Sequence, residues 1–254
     1  TKALLHLVKI KKNAEGASEM GLNFEISEVD VEKLRDWKTR VVKKLTGGLG
    51  QLVKARKINY IKGMAAFSDS KTLVVQEEGK KERKIDFKYA IIATGAKPMS
   101  LPGIDADDPR IMYSNESLDM KDIPGKMLII GGGYIGLEMA TIYQALNTEV
   151  SVAELTGNFL PGTDKDLISA YKKESKKLFK DIFLETKVTK IEKKKENLTV
   201  SFEDKKGKKF TKKYDKVLIS VGQKPNTEKL GLENTSIERD DKGFIKVDAQ
   251  QKTS

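Results

Sequence analysis

The residues best suited to chemistry lie together between Met127 and Glu154, in the stretch MLIIGGGYIGLEMATIYQALNTEVSVAE. Gly131, Gly133 and Gly136 fit G-x-G-x-x-G, with the apolar run Met127 to Ile130 before them and helix-forming sequence after them. In that pattern the first glycine permits a tight strand-to-helix turn. The second lets the main chain approach a pyrophosphate, and the third lets the helix pack closely on the strand. The helix N-terminus then offers unpaired N–H groups and the positive end of its dipole to phosphate. A second β-branched run, Val150 to Val152, ends at Glu154, eighteen residues beyond Gly136. That is close to the spacing of about 20 at which an acid accepts hydrogen bonds from ribose hydroxyls. A carboxylate there accepts from both hydroxyls of NAD and repels the extra phosphate of NADP. Leu155, Thr156 and Gly157 follow it, with no arginine among them. The stretch therefore favours NAD.

A glycine triplet alone is a weak signal, since a turn without a ligand has the same composition. Here the strand before it, the helix after it and the distal acid all agree. A membrane-spanning helix over Met127 to Leu146 is disfavoured by four glycines and Glu138 within it. The periodicity also changes from strand to helix in mid-run.

The elements that must position this unit are legible around it. Lys2 to Glu19 has helical character, with Leu4, Leu5 and Val8 on an apolar face. Asp30 can cap a second helix running to about Arg56, whose apolar residues Leu34, Trp37, Val41, Leu45, Leu49 and Leu52 recur at three and four positions. Strands are expected at Ile58 to Ile61, Thr72 to Gln76, Lys84 to Phe87 and Tyr89 to Ala93, the last as a buried strand. Ala96 to Pro124 carries four of the six prolines and reads as an irregular interdomain connection. Asp164 to Phe179 reads as a helix. Strands are then expected at Phe183 to Lys187, Leu198 to Phe202, Lys209 to Lys213 and Lys216 to Val221. Two turns of like form, Gly95-Ala96-Lys97-Pro98 and Gly222-Gln223-Lys224-Pro225, each follow a strand and suggest one device used twice.

Composition narrows the function classes. The 254 residues suffice for one large or two ordinary domains. The formal net charge of +11 comes from short lysine clusters interleaved with Glu and Asp. No basic face with interleaved aromatics or known module emerges, so no nucleic-acid partner and no membrane partner is expected. Cysteine is absent and His6 is the single histidine, which excludes Cys-based metal sites, thiol chemistry and His-dependent constellations within these residues. No metal site is expected. Thr1 to Ile10 lacks the long apolar core of a signal peptide, so the expected location is cytoplasmic.

Taken in order along the chain, these motifs resemble the flavin-dependent disulfide reductases, and among them the dihydrolipoamide dehydrogenase branch. TKALLH at Thr1 to His6 resembles the segment just after that family's redox-active cysteine pair. LTGGL at Leu45 to Leu49 is similar to its second helix, and ATGAKP at Ala93 to Pro98 to its flavin-covering ATG motif. GGGYIGLE at Gly131 to Glu138 is similar to its NAD fingerprint. ETKV at Glu185 to Val188 and VGQKPN at Val221 to Asn226 resemble the rest of its NAD domain, and RDDKGFIKVDAQQKTS the approach to its second FAD-contacting motif. Gln223 and Lys224 depart from the arginine that many members carry in the GRxPN turn.

The resemblance implies an α/β fold with two Rossmann-like nucleotide-binding domains, three-layered, with a parallel sheet and a small antiparallel β-meander. Residues 1–120 would be the remaining part of an FAD-binding domain, 121–250 an NAD-binding domain, and 251–254 the start of a return to the FAD domain. The family's first FAD fingerprint and cysteine pair would precede Thr1, and its interface domain and His-Glu dyad would follow Ser254. The implied cofactors are FAD and NAD. The implied reaction oxidises dihydrolipoamide with NAD, in a homodimer serving the lipoyl domains of 2-oxoacid dehydrogenase complexes. Another flavin disulfide reductase, an NADH oxidase or an inactive nucleotide-binding module is the alternative.

Residue roles carry over in the same way. Lys2 and Glu138 match an ion pair beside the flavin ring, both catalytic and cofactor-binding. Gly63, Thr94, Gly95 and Ala96 would contact FAD. Gly131, Gly132, Gly133, Tyr134, Ile135 and Gly136 would surround NAD with Glu154, Val188 and Gly222. Tyr134 occupies a position where the related glutathione reductases use a tyrosine to gate the nicotinamide pocket.

Overall fold

A computed structural model describes residues 1–25, 29–104 and 107–254. In chain order its elements are α1 (Lys2–Gly16), α2 (Val31–Ala55), β1 (Met64–Phe67), β2 (Thr72–Gln76), β3 (Arg83–Asp86), β4 (Ala96–Pro98), β5 (Ile111–Met112), α3 (Ser114–Asp119), β6 (Lys126–Ile130), α4 (Tyr134–Ala145), β7 (Glu149–Ala153), α5 (Lys165–Leu178), β8 (Asp181–Phe183), β9 (Thr186–Lys193), β10 (Leu198–Asp204), β11 (Lys209–Tyr214), β12 (Lys216–Ile219) and β13 (Gln223–Pro225). Two compact units form: Thr1–Leu45 with Pro98–Gly222, and Thr46–Lys97 with Gln223–Ser254.

The first unit is built on a five-stranded parallel sheet of order β5-β12-β6-β7-β8. Its strands read as unbroken apolar runs because both faces are covered. Side chains alternate across a strand, so each run is dealt onto two cores. Met127, Ile129, Val150, Val152 and Leu218 enter one cluster with Leu4 and Val8 of α1, Leu34 of α2 and Met139, Ile142 and Tyr143 of α4. Leu128, Ile130, Ala153, Val217 and Ile219 enter the other with Val188, Leu198, Val200 and Phe202. The result is three layers: helices, parallel sheet, and the antiparallel meander of order β11-β10-β9. Phe183, Phe202 and Phe210 pack as one aromatic group, with centroids 4.9 to 5.4 Å apart.

Two helix contacts fix this layer. Lys11 of α1 donates to the Ala145 carbonyl at 2.6 Å, satisfying an otherwise unpaired acceptor at the end of α4. The Tyr143 hydroxyl donates to the Ser117 carbonyl at 2.8 Å in the interior. The Lys33 N–H donates to Asp30 at 2.9 Å, the expected cap of α2.

The second unit carries the antiparallel sheet β1-β2-β3 and the β4-β13 ribbon. The ribbon pairs the two look-alike turns with each other. The Asn226 N–H donates to the Gly95 carbonyl at 3.0 Å and its side-chain amide to the Thr94 carbonyl at 3.2 Å.

Several expected elements are corrected. Ile58 to Ile61 and Tyr89 to Ala93 are not strands, and Tyr89 and Ile91 are 84% and 94% exposed. An apolar run becomes a strand only where a neighbour takes its N–H and C=O groups, and none of the described residues does so. Leu45, Leu49 and Leu52 are exposed along α2. Ala96 to Pro124 is not wholly irregular: it supplies β4, β5 and α3, and β5 joins the parallel sheet beside β12. The strand expected at Phe183 to Lys187 is split into β8 and β9 at Glu185, whose φ is +51°. Among the described residues no helix is long and apolar enough to cross a membrane.

Candidate functional site

The strand order places the glycine turn at a reversal point. From β6 the chain proceeds to β7 and β8 on one side, while β12 lies on the other. Ligands of open α/β sheets bind at the carboxyl ends of strands at such a switch point. Gly131 follows β6 there, and Ser220 to Gly222 follow β12.

The glycines divide the work as their spacing implies. Gly131 has φ +108° and lies against the Ser220 carbonyl, where a Cβ would overlap main chain. Gly136 lies against the Gly131 carbonyl and the Ser220 hydroxyl, so α4 packs onto the turn without room for a side chain. Gly133 has nothing within 4 Å of a Cβ position. It is the N-cap residue of α4, a helix of 12 residues, with no side-chain cap. The open side of the turn thus presents main-chain donors of the kind that bind phosphate at helix N-termini. Tyr134 opens α4 and is 68% exposed; Ile135 is half-buried.

Gly132 is gripped from three directions by the segment after β7. Its N–H donates to Glu154 Oε2 at 2.6 Å, and its carbonyl accepts from the Leu160 N–H at 2.9 Å. A Cβ on it would meet the Phe159 ring at 2.6 Å. Phe159 is fully buried and meets Tyr171 of α5 edge-on, with centroids 5.9 Å apart. Burial pushes the Tyr171 phenol up from its usual range. Glu154 is itself buried, and its Oε1 accepts from the Thr156 N–H at 2.7 Å and the Thr156 hydroxyl at 2.8 Å. The acid expected to read ribose therefore also locks the glycine turn. A carboxylate has about four lone-pair sites, so these three donors leave one open.

On the far side, the Ser220 hydroxyl donates to the Ile130 carbonyl at 3.0 Å and lies 3.3 Å from the Gly131 carbonyl. Gly222, φ +122°, accepts from the Met99 N–H at 3.0 Å. Val188 is buried in the core between sheet and meander, three residues beyond Glu185. Ser220, Thr156, Phe159 and Leu160 were not among the expected site residues. Thr156 carried the one usable signal, a hydroxyl two residues after the acid, positioned for a local turn.

The remaining expected residues are spread out. Thr94, Gly95 and Ala96 are exposed in the second unit. Gly63 lies where a Cβ would meet the Gln76 carbonyl at 2.6 Å, a close strand approach that only glycine fits. Lys2 opens α1 and is exposed; Glu138 lies in the first half of α4 and is half-buried. Neither takes part in an ion pair among the described residues, so the expected Lys2–Glu138 pair is not formed here.

A strand, a glycine turn open at one face, a helix N-terminus and a buried acid make up this candidate site, a donor set whose chemistry fits a nicotinamide dinucleotide. The chain belongs to the pyridine nucleotide-disulphide oxidoreductase family, which it matches over residues 1–254. It is 42% identical over 255 residues to a dihydrolipoyl dehydrogenase of Vibrio cholerae and 43% identical over 254 residues to one of Haemophilus influenzae, in each case across 100% of this chain and 53% of the relative. Among solved structures it is similar to the Cu(II) complex of the HOCl-induced flavoprotein disulfide reductase RclA from Escherichia coli, with a TM-score of 0.84, 25% identity, and coverage of 100% of this chain and 53% of that one. The chain thus spans about half the length of the relatives it matches. The family and these neighbours associate the fold with FAD and a nicotinamide cofactor.

Proposed function

We propose that this chain is the central portion of an NAD-linked, FAD-dependent dihydrolipoyl dehydrogenase. The observation that carries the reading is the collinear match, over every residue of the chain, to curated dihydrolipoyl dehydrogenases at about 40% identity. In this reading residues 121–250 bind NAD, and residues 1–120 with 251–254 belong to an FAD-binding domain completed by sequence outside Ser254 and Thr1. The bound flavin and nicotinamide supply hydride transfer.

In this reading each residue has a part. The N-terminal turn of α4 holds the pyrophosphate of NAD. Glu154 accepts from the adenosine ribose and disfavours a 2′-phosphate. Tyr134, exposed at the first position of α4, covers the nicotinamide end. Lys2 and Glu138 stand in the N-terminal halves of α1 and α4, two helices packed together through Leu4 and Val8. In the whole protein they would pair and hold a cation at a bound flavin, where it would favour the reduced form. The whole protein is a cytoplasmic homodimer that serves lipoyl domains of 2-oxoacid dehydrogenase complexes.

The test is NAD reduction by dihydrolipoamide with the full-length protein. Turnover with NAD far above NADP supports the reading, and a full-length protein without lipoamide-dependent NAD reduction sinks it. The similarity to the flavoprotein disulfide reductase RclA favours a second reading, a flavin disulfide reductase with a different substrate. A Cys-x4-Cys pair upstream of Thr1 keeps the disulfide reductases; a single cysteine points to an NADH oxidase. The 254 residues alone are expected to lack lipoamide activity and to retain flavin poorly. A yellow purified chain with a flavin spectrum would contradict the latter.

A further inference from the structure

We propose that Thr156 sets how tightly Glu154 holds the adenosine ribose: its hydroxyl competes for the carboxylate and turns to the Asn158 carbonyl when ribose binds. The inference rests on the reading of Glu154 as the ribose acceptor.

The argument is a count of donors and lone pairs. Glu154 Oε1 accepts twice from one residue, the Thr156 N–H at 2.7 Å and the Thr156 hydroxyl at 2.8 Å. Each carboxylate oxygen offers about two sites, so Oε1 is filled. Oε2 accepts the Gly132 N–H at 2.6 Å and has one site left. A ribose diol brings two donors to this single vacancy, so one existing donor must leave. Removing the Gly132 or Thr156 N–H would move main chain held by the turn. Removing the Thr156 hydroxyl requires only rotation about its Cβ–Oγ bond, because the Asn158 carbonyl lies 2.9 Å from the same oxygen.

The hydroxyl has one proton and cannot serve both acceptors. In the ligand-free protein it serves the carboxylate, because a charge-assisted bond is the stronger one. With ribose bound it serves Asn158. No heavy atom has to move. The alternative acceptor is held in place by Lys172 of α5, which donates to Asn158 Oδ1 at 2.6 Å and to the Gly157 carbonyl at 3.2 Å. Thr156 thus keeps a buried carboxylate satisfied when the site is empty, at the expense of affinity when it is filled.

Calorimetric titration of the full-length protein tests this, using NADH and its 2′-deoxyadenosine analogue. The analogue brings one ribose donor and fits the open site without displacing Thr156. Thr156→Val should bind NADH about 3- to 10-fold more tightly, as expected when one hydrogen-bond exchange is removed. It should show no gain for the analogue, and should melt at a lower temperature without ligand. Thr156→Ser should match the wild type throughout, and Thr156→Ala provides a second hydroxyl-free variant. NADH affinity unchanged or weakened in both hydroxyl-free variants would overturn the proposal, as would an equal gain for NADH and analogue. Glu154→Ala, titrated alongside, separates the causes. If it leaves NADH affinity unchanged, the reading of Glu154 fails and this inference with it. If it weakens NADH while the Thr156 variants do nothing, only the role of Thr156 fails.

Discussion

Glu154 Oε2 accepts a 2.6 Å hydrogen bond from the main-chain N–H of Gly132, which lies 22 positions earlier in the chain. The two residues close the βαβ unit on itself, so the acid at its far end and the glycine turn at its start form one rigid feature. Removing the carboxylate should therefore cost twice. Glu154→Ala should weaken NADH by about 1–3 kcal/mol and destabilise the ligand-free fold by a similar amount, since a buried donor loses its charged partner. Calorimetry and thermal unfolding on the same protein check both. Loss of affinity with an unchanged melting temperature would mean that the Gly132 contact is energetically idle.

Gly133 and Gly136 separate binding from folding. Gly136→Ala forces a Cβ onto the Gly131 carbonyl and the Ser220 hydroxyl, and overpacking of this kind costs about 1–3 kcal/mol or more. Gly133→Ala meets no protein atom within 4 Å, so stability should change by less than about 1 kcal/mol. Its methyl group instead occupies the open face of the turn, and NADH affinity should fall by about tenfold or more. Denaturant unfolding and NADH titration of the two variants should show opposite profiles.

Acid sensitivity should trace to Asp108 and Arg110. The Arg110 guanidinium bonds Asp108 Oδ2 at 2.7 Å and the Lys194 carbonyl at 2.9 Å, tying the start of β5 to the β9–β10 turn. That hydrogen bond, with the neighbouring charge, holds the Asp108 carboxyl down at about 2, below its ordinary 3.8. A depressed carboxyl stabilises the fold fully above its unfolded value and loses that contribution as pH falls through the folded one. Stability should hold above about pH 4 and decline toward pH 2. Arg110→Ala should remove about 1 kcal/mol at neutral pH and flatten that part of the profile. Urea unfolding across pH 2 to 6 measures it.

Alkaline behaviour should trace to buried phenols. Desolvation raises Tyr214 to about 12 and pushes Tyr143 further up, with Asp122 and Asp119 adding to the latter. The folded state then holds protons that the unfolded chain releases near its ordinary value of 10, so stability falls as pH rises past 10. Spectrophotometric titration should leave these two of the seven tyrosines protonated at pH 11 until the protein unfolds. Smooth titration of every tyrosine before unfolding would contradict their burial.

The sequence by itself determined the βαβ unit, because each part of it is local. The run Met127 to Ile130, the glycine spacing and the helix after it are dictated by neighbours a few residues away, and all appear where expected. α2 behind its Asp30 cap and α5 after Asp164 were legible for the same reason. The tertiary structure decided what depends on partners far along the chain. Tyr89 to Ala93 has strand-like residues, yet no described strand pairs with it and it lies exposed. Ile111 and Met112 look like part of a proline-rich connection, yet β12 recruits them as a parallel strand. Glu154 was legible as an acid at the right spacing. That it also grips Gly132 depends on the chain returning over its own glycine turn, which no local pattern encodes.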